Sequence, residues 1–407
     1  MSACAAPPRP AGALGLRRVA AAARRSAPAA LAVVLAGCSA AVSGNQPGTG
    51  GQHAPAGRGH SAAPMATRTP QARHPAQSAF GRLTARGRGH LAPGSDPAAL
   101  PGDVLIADEG NHRILLVDPH GRILWQFPPR GHRRRGSVFG PPDDAFFSPD
   151  GRAIVATQEL NDTVSVINIA TRRIVRRYGH AGRPGSAPGF LSHPDDAMLM
   201  ADGELLLADI MNCRIMLLAP GRWHVRRQFG GPASCVHHPP GSFGSPNGVF
   251  PLNDGRFLVT EINGDWVDAM NLRGHVYWSV HPPGVAYPSD TNQAGPGRYI
   301  VADYSSPGQV VIFNRAGHAL WRFRPGGGRM LDHPSLALPL PNGNILVNDD
   351  YNDRVIVIDQ ATKKIVWQYG HYGVPGRAAG FLDNPDGVDM APPDSLLARH
   401  AATMRHP

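Results

Sequence analysis

The chain has 407 residues, 42% of them hydrophobic, with 48 Gly, 41 Pro and a net charge of +10. That apolar content supports a packed core, the Gly and Pro point to many tight turns, and no stretch reaches the roughly 18 uninterrupted apolar residues of a spanning helix. The basicity invites a nucleic-acid reading, but its distribution argues against one and leaves contact with an anionic surface as the alternative: only Lys363 and Lys364 are lysines, and the arginines are spread along the chain without interleaved stacking aromatics. The tightest basic run, Arg133 to Arg135, reads as a solvated loop.

Residues 1–38 have the grammar of an export signal. Arginines at 17, 18, 24 and 25 precede the apolar run Ala30-Leu-Ala-Val-Val-Leu-Ala-Gly-Cys38. Leu35-Ala-Gly-Cys38 resembles the lipobox of bacterial lipoproteins. The resemblance implies lipidation of Cys38 and anchoring to the outer face of the bacterial cell membrane. Residues 39–100 are Ala, Gly, Pro, Ser, Gln and His with one acid, Asp96, and no periodicity; they read as a disordered tether.

From 101 to 390 a phrase recurs six times: an apolar run (B) ending in an acidic or polar residue, a turn, a second apolar run (C), another turn, and a third run (D) that often carries Trp. Clear copies are Asp103-Val-Leu-Ile-Ala-Asp108 followed by Arg113-Ile-Leu-Leu-Val-Asp118, and Asn344-Ile-Leu-Val-Asn-Asp349 followed by Arg354-Val-Ile-Val-Ile-Asp359. Short runs rich in β-branched and aromatic residues, bounded by Gly, Asn, Asp or Pro, predict strands. A fourth element (A) opens with a Pro-x-x step at Pro142, Pro194, Pro246, Pro288, Pro334 and Pro385. Four strands recurring about every 40 to 50 residues predict a β-propeller blade. The first B-C-D set, about 103–127, has no A strand before it, and the last A strand, about 385–390, has no set after it. The expected fold is an all-β, six-bladed propeller closed by pairing these two ends, which leaves no open edge in the ring. Residues 391–407 form a tail without pattern.

Candidate functional residues follow from the propeller. Residues that recur in one slot of several copies, such as Asp108, Asp209, Asp303, Asp349 and the arginines that follow three of them, are expected to build blades. The A strands line the central channel, where Asp143, Asp195, Asn247, Ser289, Ser335 and Asp386 occupy equivalent positions, followed by Asp144, Asp196 and Asp290 in three copies. Several oxygen donors around one axis suit a hard cation such as Ca²⁺, or else cap the strands and bind channel water. His193 and His333 precede A-strand prolines and are candidates at one channel mouth, for a metal such as Zn²⁺ or for acid/base work. Cys213 and Cys235 are compatible with a disulfide or with two buried thiols.

Ala107-Asp108-Glu-Gly-Asn111-His112-Arg113-Ile114 resembles the core of the NHL (Asn-His-Leu) repeat, with degenerate copies at Asp209-Ile-Met-Asn212-Cys-Arg214 and Asp349-Asp-Tyr-Asn352-Asp-Arg354. The copies ending at 158 and 261 lack the Asp, and those at 261 and 303 lack the Arg. The D-strand Trp gives a secondary likeness to PQQ-type propeller repeats. The resemblance implies a non-enzymatic binding or scaffold module for a protein, glycan or small ligand at the channel mouth. The alternative it implies is a channel-mouth enzyme, a metal-dependent lyase or a lactone hydrolase. The segment 333–347 also resembles arylsulfotransferase propellers, which would make His333 a nucleophile.

Overall fold

The computed structural model describes residues 89–130 and 139–392; the leader with Cys38, the tether as far as 88, the arginines 133–135 and residues 393–407 lie outside them. Among the described residues, twenty-four strands form six four-stranded antiparallel sheets arranged as a ring. Blade II runs β4 (Ala145–Phe147), β5 (Ala153–Gln158), β6 (Thr163–Asn168) and β7 (Arg173–Gly179) from the channel outward. In the same order, blade III is β8 (Pro194–Leu199), β9 (Leu205–Asp209), β10 (Arg214–Leu218) and β11 (Val225–Gly230). Blade IV is β12 (Pro246–Pro251), β13 (Arg256–Glu261), β14 (Trp266–Asn271) and β15 (Val276–Val280). Blade V is β16 (Pro288–Gly295), β17 (Arg298–Asp303), β18 (Gln309–Phe313) and β19 (Ala319–Phe323). Blade VI is β20 (Ala337–Pro339), β21 (Ile345–Asp349), β22 (Arg354–Asp359) and β23 (Lys364–Gly370). Blade I joins the two ends of the domain: β24 (Pro385–Met390) pairs with β1 (Val104–Asp108), which continues into β2 (Arg113–Val117) and β3 (Ile123–Phe127). The expected closure is therefore the observed one.

In blades II and VI the innermost strand starts later than the Pro-x-x step, at Ala145 and Ala337. Register shifts just after the proline in β8, β12 and β16 show why. The proline cannot donate to the ladder, and the chain bulges there before regular pairing begins.

Strand alternation puts every second residue on one sheet face. In β1, Leu105 and Ala107 pack toward blade II while Val104 and Ile106 pack toward blade VI. The core is thus six apolar layers, one between each pair of neighbouring blades. The D-strand tryptophans tie these layers together by hydrogen bonds to the next blade: Trp125 to Ile169 O at 3.1 Å, Trp321 to Gln360 O at 2.9 Å and Trp367 to Pro119 O at 2.8 Å. The last of these fastens blade VI to blade I.

The recurrent B-strand acids behave as blade-builders. Arg113 pairs with Asp108 at 2.5 Å, Arg214 with Asp209 at 2.7 Å and Arg354 with Asp349 at 2.7 Å, all buried. Each arginine also donates to carbonyls of the preceding inter-blade loop, as Arg113 does to Arg377 O and Phe381 O. Blade and loop are locked by one cation. Cys213 and Cys235 are disulfide-bonded, with Cα atoms 5.3 Å apart, and hold the loop after blade III onto that blade.

Residues 91–100, at the end of the segment read as a tether, run along β23. Ala92 N donates to Gln368 O and Asp96 N to Val366 O, which covers the outer edge of blade VI.

Candidate functional site

The Pro-x-x steps of the six blades supply two successive rings of residues, of which Leu336 joins the apolar layer between blades VI and I. The first is Asp143, Asp195, Asn247, Ser289, Ser335 and Asp386; the second is Asp144, Asp196, Gly248, Asp290, Leu336 and Gly387. Neighbouring strands touch through these residues. Asn247 Nδ2 donates to Ser289 Oγ at 3.1 Å, Ser335 Oγ to Asp386 O at 2.6 Å, and Val249 N to Asp196 Oδ2 at 2.7 Å.

The carboxylates converge. Ligand atoms of Asp143, Asp144 and Asp195 lie within 4.8 Å of one another, and so do those of Asp144, Asp196 and Asp290. Asp144 belongs to both groups. All five side chains are buried, and each leaves one oxygen (Asp143 Oδ2, Asp144 Oδ1, Asp195 Oδ2, Asp196 Oδ1, Asp290 Oδ1) without a hydrogen-bond donor. Two glycines make room for them: a β-carbon on Gly248 would collide with Asp290 Oδ1, and one on Gly387 with Asp144 Oδ1. Burial, and after it mutual repulsion, pushes Asp143, Asp144, Asp195 and Asp290 well above the usual carboxylate range; burial and the charge of Asp144 do the same to Asp196. Burial raises Asp386 too, opposed by bonding with Ser335, Asp143 and Asp350.

One mouth of the channel is formed where B strands end. The residues just past them are Glu109, Glu159, Ile210, Ile262, Tyr304 and Asp350, and a repeated backbone bond sets most of them. The carbonyl preceding the A-strand proline accepts from the residue just past the B strand of the same blade, as in Glu109 N to Asn384 O at 3.2 Å, Ile210 N to His193 O at 3.2 Å and Tyr304 N to Tyr287 O at 2.8 Å. His193, Ser245, His333 and Asn384 hold positive φ at this step, between 49° and 55°. A left-handed residue before proline is unfavourable in isolation; its recurrence in four blades makes it part of the repeat.

Glu109 and Glu159 are each raised to about 8, by burial first and then by the charge of Asp386. Burial and Asp386 also raise Asp350, which lies against Ser335 and Asn348. Three tyrosines and a histidine follow around the rim: the Tyr287 and Tyr304 rings are 5.7 Å apart, Tyr304 and His333 4.9 Å, and His333 and Tyr351 4.3 Å. His333 Nδ1 is 2.7 Å from Asp332 Oδ1. Burial tends to raise Asp332, but hydrogen bonds from His333 and Ser306 and the charge of His333 hold it below its ordinary value.

The predicted channel residues therefore share one axis, but the two predicted histidines do not come together. His193 and His333 belong to blades III and VI, on opposite sides of the six-membered ring. His193 Nδ1 is buried without a partner. His180 and His371 stack on Phe190 and Phe381, each at 4.2 Å, and serve the inter-blade loops. Glu109, Glu159 and Asp350 escaped the sequence reading because they sit inside turns that look like repeat punctuation. Their common place, immediately after the B-strand end, is the signal that could have found them.

No protein-family model matches the chain, and no curated protein matches it. Solved structures do. A protein of unknown function from Bacteroides caccae aligns over 70% of this chain and 97% of its own, with TM-score 0.50 and 16% identity. A streptogramin B lyase aligns over 60% of this chain and 72% of its own (TM-score 0.43, 16% identity), and the hydrazine synthase of Kuenenia stuttgartiensis over 68% and 79% (TM-score 0.46, 15% identity). The chain is a β-propeller. At these identities the likeness concerns fold alone, and function has to be argued from the site.

Proposed function

We propose that the chain is a tethered, non-enzymatic binding module whose channel holds a hard divalent cation of the Ca²⁺ class and whose Tyr- and His-rimmed mouth receives a protein, glycan or small ligand. The observation that supports it is the set of five buried, unpartnered carboxylate oxygens on Asp143, Asp144, Asp195, Asp196 and Asp290. Uncompensated buried charge is strongly unfavourable, by several kcal/mol per group. Either protons or a cation must relieve it. Oxygen-only donors favour Ca²⁺ over the softer metals that seek nitrogen and sulfur. The ligand atoms of each group all lie within 4.8 Å of one another, close enough to share one ion with bonds of about 2.4 Å. Asn247, Ser289 and Asp386 offer further oxygens at the same level. Lipidation of Cys38 would hold the module at the outer face of the cell membrane, with the tether giving the mouth its reach.

The test is thermal melting of the full chain with Ca²⁺, with Zn²⁺ and with chelator. Ca²⁺ should raise the melting temperature and Asp144→Asn should abolish that rise. Equal melting temperatures with Ca²⁺ and with chelator would refute the reading and leave shared protons as the compensation.

One observation favours a second reading. Asp332 engages His333 Nδ1, which leaves Nε2 for acid/base or nucleophilic work beside Tyr304 and Tyr351. This suits the enzymes that the NHL-like and arylsulfotransferase-like motifs imply: lyase, lactone hydrolase, or transferase. Sulfate transfer from an aryl sulfate to a phenol, lost in His333→Ala, would support it.

A further inference from the structure

The same register position differs from blade to blade in what compensates the B-strand end. Asp108, Asp209 and Asp349 face Arg113, Arg214 and Arg354. Asp303 faces Gln309, which donates to it at 2.7 Å. Gln158 faces Thr163 and needs no cation. In blade IV, Glu261 faces Trp266, so the acid is kept and the arginine is gone.

A second acid compounds the imbalance. Asp268 pairs in register with Val259; the equivalent positions in the other blades are Leu115, Ser165, Met216, Val311 and Ile356. A carboxylate therefore stands where four blades bury an aliphatic side chain. Asp268 is fully buried; Glu261 hydrogen-bonds with it and raises it, while Ser279 across the strand pair favours its charged form. Burial, then Glu261, pushes Asp268 up to about 8. Among the described residues, no arginine or lysine forms an ion pair with either acid.

What reaches them instead is His237, from the loop after blade III. Its Nδ1 lies 2.9 Å from Glu261 Oε1 and 4.0 Å from Asp268 Oδ2. The ring is held flat on Trp266, with centroids 4.0 Å apart and planes inclined by 7°, and the other side of Trp266 packs on His281 at 3.6 Å. Trp266 thus uses the vacated arginine slot to aim an imidazole. The Cys213–Cys235 disulfide fixes the same loop two residues before His237. Glu261 also accepts from Gly244 N.

We propose that His237 Nδ1, Glu261 and Asp268 form a second metal site, outside the channel, for a borderline divalent ion of the Zn²⁺, Co²⁺ or Mn²⁺ class. One imidazole with two carboxylates is a donor set for those ions rather than for Ca²⁺. Donors around a tetrahedral ion with bonds near 2.05 Å stand roughly 3.4 Å apart. The 2.9 and 4.0 Å separations from His237 bracket that value, and the three ligand atoms all lie within 4.8 Å of one another. Metal binding needs a neutral imidazole. The ion would replace the arginine both in charge and as the link between blade and loop. His237 meets solvent while the two acids do not, so the entry path lies under that loop. The proposal does not depend on the channel cation.

The experiment is titration of Co²⁺ into the chelator-treated full chain, read by visible d–d absorption, with Zn²⁺ as competitor. The parent should give the intense spectrum of a four- or five-coordinate ion that Zn²⁺ displaces. His237→Ala and Asp268→Leu should each weaken that binding by more than the roughly 10- to 100-fold that outer partners contribute, whereas His371→Ala, in the loop after blade VI, should leave it unchanged. Without metal, Asp268→Leu should melt no lower than the parent, because it restores the aliphatic residue of the other blades. No Co²⁺ spectrum in the parent, or an undiminished one in both blade IV variants, would overturn the site.

Discussion

Asp144 occupies the space that a side chain on Gly387 would fill, so the first and second blades meet at the channel through a carboxylate lying over a bare backbone. Asp290 and Gly248 repeat the arrangement between blades V and IV. These glycines are required by close approach and not by a special φ. In Gly387→Ala the new methyl would also press on the Asp144 and Ala145 backbone. We expect a loss of about 1–3 kcal/mol of stability from overpacking, read by urea unfolding, together with weaker Ca²⁺ binding. Unchanged Ca²⁺ affinity in a folded Gly387→Ala protein would separate this contact from the cation.

The channel acids give the protein a pH dependence of definite sign. Glu109 and Glu159 are raised to about 8, and Asp389, half-buried on β24, to about 7. A carboxyl whose folded pKa is raised binds its proton more firmly folded than unfolded. Its stabilising contribution is complete below the ordinary value of roughly 4 and is lost as pH rises through the folded value. The chelated protein should therefore melt at a higher temperature near pH 5 than near pH 9, with the fall spread over about pH 5 to 8 and levelling off above it. Saturating Ca²⁺ should reduce that fall, which differential scanning at several pH values would read.

Much of this was legible in the chain. Six copies of the strand phrase and the orphan strand at 385–390 specify both blade number and closure, because period-2 alternation and turn residues are local signals. The Pro-x-x steps likewise locate the channel rings. The mouth was less legible, since Tyr287, Tyr304 and Tyr351 come from different turns and only ring closure makes them neighbours. The Glu261–Asp268 pair was hidden for a related reason. The loss of Asp and Arg from that copy reads as decay of the repeat until the register places Asp268 beside Glu261 and His237 above both.

The buried Asp–Arg pairs should act as fasteners. Arg113→Met leaves Asp108 buried without its cation and removes donors from Arg377 O and Phe381 O. We expect a loss of about 3–5 kcal/mol in urea unfolding. Asp108→Leu combined with Arg113→Met should recover part of it, because no charge is then stranded.

Ring closure can be probed at Trp367, which is fully buried and reaches Pro119 O on blade I. Trp367→Ala should lower stability by about 3–5 kcal/mol, and hydrogen exchange should rise first in blades VI and I. A loss spread evenly over all six blades would mean that the closure carries no special share.

The central claim is that the convergent carboxylates around Asp144 hold a hard cation. Isothermal titration of the chelator-treated full chain with Ca²⁺ tests it most directly. The account predicts saturable binding that Asp144→Asn, which removes the one residue common to both carboxylate groups, weakens by about 10-fold or more. Absence of Ca²⁺ binding in the parent, or equal binding in the Asn variant, would contradict it.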